Sequence, residues 1–322
     1  MSPEPSLRMI GMGACTPLGR SAITSAAAVR AQIVRAAEHP LWLTREGNAV
    51  VAASASYLPV AMRAEERMLR LSSIAASEAL RALPSGPHPI SLLLSTPEPR
   101  PGGLHDQGAQ IMDHLRRELT ARHNIDEVRL RPGGNATGFS LLEEVAQRLT
   151  QERKRIFLVG GVDSFIDVDT IDWLEERNLL RTGTNKWGIT PGEAAAFCLL
   201  TGPALARRVE RPAYATLVAA ATSHESALPG SEGVCTGGAL SQACAAVLSR
   251  EPAERAATII CDLNGERNRA DEFGFMLARL GGRLRDPIVQ MTPADCWGHV
   301  GAATVPLFMT LAARSTRKIA TY

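Results

Sequence analysis

The chain has 322 residues, of which 45% are hydrophobic and 21% charged, a composition that excludes a disordered or fibrous protein and suits one large α/β domain or two fused halves. With 35 Lys and Arg against 33 Asp and Glu, the formal charge is +2, and aromatic residues make up 4%, so nothing points to a nucleic-acid surface. The start, "MSPEPSLRMIGMG", lacks a cationic stretch followed by an apolar core, and no long apolar run follows it, so a cytoplasmic location without membrane contact is expected.

In chain order, short apolar runs predict strands at "LRMIGMGA" (7–14), "NAVVAASAS" (48–56), "PISLLLST" (89–96), "RIFLVGGV" (155–162), "AAAFCLLT" (194–201), "YATLVAAAT" (214–222) and "ATIICDLN" (257–264). Helical periodicity falls between and after them, at 63–83, 104–123, 140–149, 238–250, 273–282 and 301–313. Continuous apolar strands alternating with helices imply a sheet covered on both faces, hence an α/β class. Pro-rich "LPSGPHPI" and "STPEPRPGG" read as surface loops, because strand and helix signals resume on either side.

The six cysteines, Cys15, Cys198, Cys235, Cys244, Cys261 and Cys296, show no CxxC spacing and no clustering with His. Reduced, mostly buried thiols are expected, with no metal site and no cofactor. Two stretches echo each other, "GGNATGFSLLEEVAQRL" and "WGHVGAATVPLFMTLAA": each is a small-residue turn with a polar residue at the mouth of an apolar helix. Two similar halves meeting at helix N-termini would account for the echo.

Four motifs in order, "GMGACTPLG" (11–19), "GGVDSF" (160–165), "GITPGEAAAFCLL" (188–200) and "GHVGAAT" (298–304), resemble those of the β-ketoacyl synthases of the thiolase superfamily and span nearly the whole chain. The resemblance implies a thiolase-like fold of two similar α/β halves, residues 1–205 and 206–322, packed as layered αβαβα. It also implies a site: a Cys at a helix mouth that takes an acyl group, and two His, or His and Asn, that stabilise an enolate. Here Asn135 stands where that Cys would be, Leu263 falls where the first His would be, and Ala294 and Asp295 occupy the region of a usual Lys. His299 keeps the second His position.

An amide nitrogen is delocalised and no acyl acceptor, whereas a thiolate at a helix N-terminus is favoured by the dipole. The chain therefore reads as a degenerate ketosynthase. Asn135 alone reads as an N-cap or a ligand-binding amide; His299 as a hydrogen-bonded structural residue or an acid or base; Glu193 as a partner of backbone or an Arg; Cys15 and Cys261 as core. Cys296, three residues before His299, is the candidate for a displaced nucleophile. The charged run 262–272 reads as a solvated face, with Asp262 and Glu266 as an acid–base pair should it face the crevice.

Three functions follow. The first is a non-catalytic binding or accessory protein; the "DLNGE" run resembles thiolase-like proteins accompanying type VI secretion effectors, so an effector, an adaptor or an acyl carrier protein is a possible partner. The second is an active 3-oxoacyl-ACP synthase-like acyltransferase with an unrecognised nucleophile. The third is a chain-length-factor-like partner of an active ketosynthase. A homodimer is expected, with "RIFLVGGVDS" near the strand that pairs across a two-fold axis in the superfamily.

Overall fold

The computed structural model describes residues 6–319 apart from 82, 84–86, 103–105, 211, 228–232 and 251–255, so parts of the expected loops at 83–90 and 95–103 and the start of the helix expected at 104–123 lie outside the described residues. The first half of the chain runs β1 (Leu7–Cys15), α1 (Ala22–Arg30), β2 (Ala37–Leu43), β3 (Ala49–Ala52), α2 (Ala64–Leu80), β4 (Ile90–Thr96), α3 (Gln107–Thr120), β5 (Ile125–Pro132) and α4 (Thr137–Leu149). It continues with β6 (Ile156–Ser164), α5 (Val168–Glu176), β7 (Glu193–Thr201), α6 (Pro203–Arg208), β8 (Ala215–Leu217) and α7 (Gly238–Leu248). The last elements are β9 (Ala256–Ile260), α8 (Arg267–Leu280), β10 (Leu284–Met291), α9 (Ala294–Trp297) and α10 (Thr304–Ile319).

The main sheet has the order β5-β4-β6-β7-β1-β8. Strand β4 runs parallel to β5 and β6, while β7 is antiparallel to both β6 and β1. Every residue of β4, β6 and β7 is buried, as continuous apolar runs require of strands covered on both faces. On one face, α2 and α3 bring Met68, Leu71, Ile111 and Leu115 against Leu92, Leu94 and Leu158. On the other, α4 and α10 bring Leu141, Val145, Val305 and Leu311 against Phe157 and Val159.

Helices α4 and α10 meet at their first turns. A Cβ on Gly138 would come within 2.5 Å of the Val305 side chain, so the crossing needs glycine there. The two echoing sequence stretches are thus the two helix mouths, brought together.

Beyond α4 and α10 lies a parallel pair, β9 and β10. Ile260 and Met291 of this pair pack on the α4/α10 layer, and Ile259 packs into the cluster of α7 and α8 around Phe273, Met276 and Leu280. The layers therefore succeed one another as α, β, α, β, α, the architecture expected. Strand "YATLVAAAT" contributes only the three residues of β8, which pair with β1 in the main sheet. The "RIFLVGGVDS" segment, expected near an intermolecular strand, is β6, and both its edges are taken by β4 and β7. The strand with an unpaired edge at that end of the sheet is β5. Among the described residues no helix is long and apolar enough to cross a membrane.

Candidate functional site

Strand β5 ends at Pro132, and Gly133 and Gly134, both at positive φ, turn the chain into α4. The residue at the N-cap is Ala136, which makes no side-chain cap hydrogen bond. Asn135 is not a cap: its Nδ2 donates to Asp262 Oδ2 at 3.0 Å, 127 residues away, across the gap between α4 and the end of β9. Asp262 also accepts from Arg269, whose Nε donates to Glu266 Oε2 at 2.6 Å. Burial works against the Arg269 charge, but Asp262 and Glu266 outweigh it and raise its pKa, so one guanidinium neutralises two carboxylates. The run 262–272 is therefore only partly a solvated face, because Asp262 is tied to Asn135 and both Asp262 and Glu266 to Arg269.

His299 is held by its backbone. Its N–H donates to the Thr190 carbonyl at 2.7 Å, and its own carbonyl accepts from Gly192 N–H at 3.0 Å. Gly298, at φ 76, precedes it where a Cβ would lie 2.9 Å from the carbonyl oxygens of both Thr190 and Pro191, so only glycine lets the two segments clasp. Asp163, at the end of β6, accepts from Ala302 N–H at 3.0 Å, and Arg100 donates to the same carboxylate. Phe165 meets the imidazole edge-on, with ring centroids 4.7 Å apart.

Asn264 completes the group. Its Oδ1 accepts from Glu266 N–H at 3.1 Å, which fixes the amide's orientation and makes Nδ2 the atom that donates to His299 Nδ1 at 3.0 Å. With Nδ1 accepting, the neutral ring carries its proton on Nε2, an N–H able to meet a carbonyl oxygen. Burial first, and then the Arg269 charge, push His299 down to about 3, with Asp262 working the other way. A cleft of about 470 Å³ reaches Asn264 from the surface, walled by Val34, Val51 and Thr190, with Arg181, Lys186 and Asp295 also lining it.

By sequence, the chain matches no protein-family model and no curated protein. By structure, it superposes on the AntDE:AntF complex, a type II PKS acyl-carrier protein with its ketosynthase bound to the hexaketide, with a TM-score of 0.78 at 13% identity over 97% of this chain and 86% of that one. The ishigamide ketosynthase/chain length factor gives a TM-score of 0.74 at 14% identity over 96% and 86%. A ketosynthase from module 6 of the bacillaene synthase of Bacillus subtilis 168 gives 0.75 at 11% over 97% and 61%. The fold is that of the thiolase-like ketosynthases.

Asn135 and His299 are linked only through the β9 end of the chain, Asn135 to Asp262 and His299 to Asn264. Leu263, expected at the first His position, instead packs toward α7 and α8, and the side chain that meets His299 is that of Asn264, one place further on. Cys296 lies in the core beside Trp297 and Ala303; its thiol is raised by burial and then by Asp295, and it makes no hydrogen bond with His299. All six thiols stand above their ordinary value, Cys15 at about 11 and Cys198 at about 12, both through burial. Glu193 pairs with an Arg inside the fold, as expected: Arg67 donates to it twice, at 2.7 Å each.

Proposed function

We propose that this thiolase-fold chain binds a partner and does not condense acyl groups. The observation that carries the reading is the hydrogen bond from Asn135 to Asp262. The residue at the helix mouth is an amide, and it is committed to a carboxylate that Arg269 already neutralises. At that helix mouth a thioester would meet an amide, which is no nucleophile. His299 and Asn264 keep a hydrogen-bonding function without a thiolate to serve.

Intact-protein mass spectrometry after incubation with a panel of acyl-coenzyme A and acyl-carrier-protein donors tests this. No adduct is expected. A stable adduct on Cys296, or on any residue of the crevice, would replace the proposal with an active 3-oxoacyl-ACP synthase-like enzyme using a displaced nucleophile.

The partner we propose is first a second copy of the chain, joined along the open edge of β5. The resemblance of Asp262–Glu266 to type VI secretion accessory proteins supports an effector or adaptor as the further partner, and one similar ketosynthase is seen with an acyl-carrier protein. A chain-length-factor-like role is the second reading, favoured by the ishigamide ketosynthase/chain length factor among the similar structures. Light scattering separates the two. A particle of twice the 34.4 kDa chain supports the homodimer, and a single-chain mass that rises by the mass of one ketosynthase chain on mixing with an active ketosynthase supports the other reading.

A further inference from the structure

Far along the chain from Asn135, three segments converge on the outer layer: the stretch after β8, which carries Glu225; the stretch leading into α7, which carries Cys235; and α8, which carries Glu272. One ligand atom from each of these three residues lies within 4.8 Å of the other two. Cys235 Sγ donates to Glu272 Oε1 at 3.2 Å. Glu225 is held in place by the amides of Ala227, at 3.1 Å, and Ala239, at 3.4 Å. Gly237, at φ 63, lets the Cys235 segment lie against α8; a Cβ there would stand 2.7 Å from the Glu272 carbonyl oxygen.

The charge around these groups sets them apart. Two other crowded carboxylate pairs share an arginine: Arg269 lies between Asp262 and Glu266, and Arg148 bridges Glu127 and Glu152. Among the described residues no Lys or Arg forms a salt bridge with Glu225 or Glu272. Two carboxylates this close repel unless a proton or a cation stands between them.

We propose that Glu225, Cys235 and Glu272 form a binding site for a zinc-class divalent cation. One thiolate with two carboxylates is a borderline-soft donor set, whereas calcium and magnesium take oxygen alone. Three protein ligands leave the fourth tetrahedral position to water. On loading, the metal–sulfur bond forms as the thiol gives its proton to solvent, with no change of oxidation state. The site would pin the segments on either side of 228–232 to α8, the helix that also carries Arg269.

The test uses the full chain and cobalt(II), whose thiolate complexes have a charge-transfer absorption that oxygen and nitrogen ligands do not give. One equivalent of cobalt is expected to produce the band, and zinc, but not calcium or magnesium, to displace it. Cys235→Ser should abolish the band, and Glu272→Gln should weaken zinc binding by about tenfold or more, the scale seen even for outer-shell metal partners. His224→Ala, altering the exposed histidine beside Glu225, should leave binding unchanged. Zinc should raise the melting temperature of the wild type and not that of Cys235→Ser, which also shows that the variant folds. Absence of the band, its survival in Cys235→Ser, or displacement by magnesium as readily as by zinc would each overturn the site.

Discussion

At the mouth of α10, burial decides what the His299 imidazole can do. The buried ring, with Arg269 nearby, prefers to be neutral, and its pKa falls from 6.5 to about 3. The sign of the linkage follows: below about pH 6.5 the unfolded chain takes up a proton that the folded chain refuses. The stability this residue contributes is therefore complete above pH 6.5, declines as the pH falls, and is lost on approach to about pH 3. NMR should find the His299 ring resonances unchanged from about pH 8 to about pH 5. In parallel, His299→Gln should flatten the acid side of the stability curve. A ring that titrates near its ordinary value would mean that water reaches it and that the Asn264 contact is not formed.

Elements are tied together by a buried ion pair. Arg67 of α2 and Glu193 of β7 are 1% and 0% exposed at their side chains. Glu193 also accepts from Ala55 N–H at 2.6 Å and from the Ser164 hydroxyl at 3.1 Å, and removing either charge leaves the other buried without its counter-charge. Glu193→Gln is expected to cost about 3–5 kcal/mol in denaturant unfolding, and the paired change Arg67→Met with Glu193→Leu much less. Equal losses in the two variants would mean that the hydrogen bonds to Ala55 and Ser164, more than the charge, hold the elements. At this scale much was legible in the sequence. Strands β4, β6 and β7 read correctly because both faces are buried. The strand β5 did not, because an edge strand with "DEVRLRP" sends its arginines to Glu144 on α4 and shows no apolar run. Three of the four motifs meet in close contacts, Gly298 against Pro191 and Asp163 against Ala302, which demand particular residues at those positions. The chemistry of the site was less so. An N-cap at Asn135 is a local expectation, and it lost to a partner 127 residues away. Cys235 looked isolated for the same reason, since Glu272 lies 37 residues on.

Taken whole, the molecule is unevenly buried. Every residue of β4, β6 and β7 is inside, whereas β9 has no buried residue, α7 buries only Ser241, and α8 buries Phe273, Met276 and Leu280. Regions with few buried apolar contacts open at lower free energy than the global transition, so the outer β9/β10/α7/α8 layer should exchange its amides well before the main sheet. That layer is joined to the α4/α10 layer in part by polar ties, Asn135 to Asp262 and Asn264 to His299. Asp262→Ala removes the first tie and leaves Arg269 with Glu266 alone. Hydrogen exchange of this variant should quicken in β9, β10 and α8 while the amides of β4, β6 and β7 keep their wild-type protection. Because an opening of 1.4 kcal/mol less is tenfold in exchange, a lost charged hydrogen bond should show as roughly a tenfold or greater acceleration confined to the outer layer. If instead the main sheet accelerates to the same degree, the layers unfold as one unit and the crevice is as rigid as the core. If only the outer layer responds, the seam between it and the α4/α10 layer is where this fold yields, and a partner that docks on the outer layer would be read out there as restored protection.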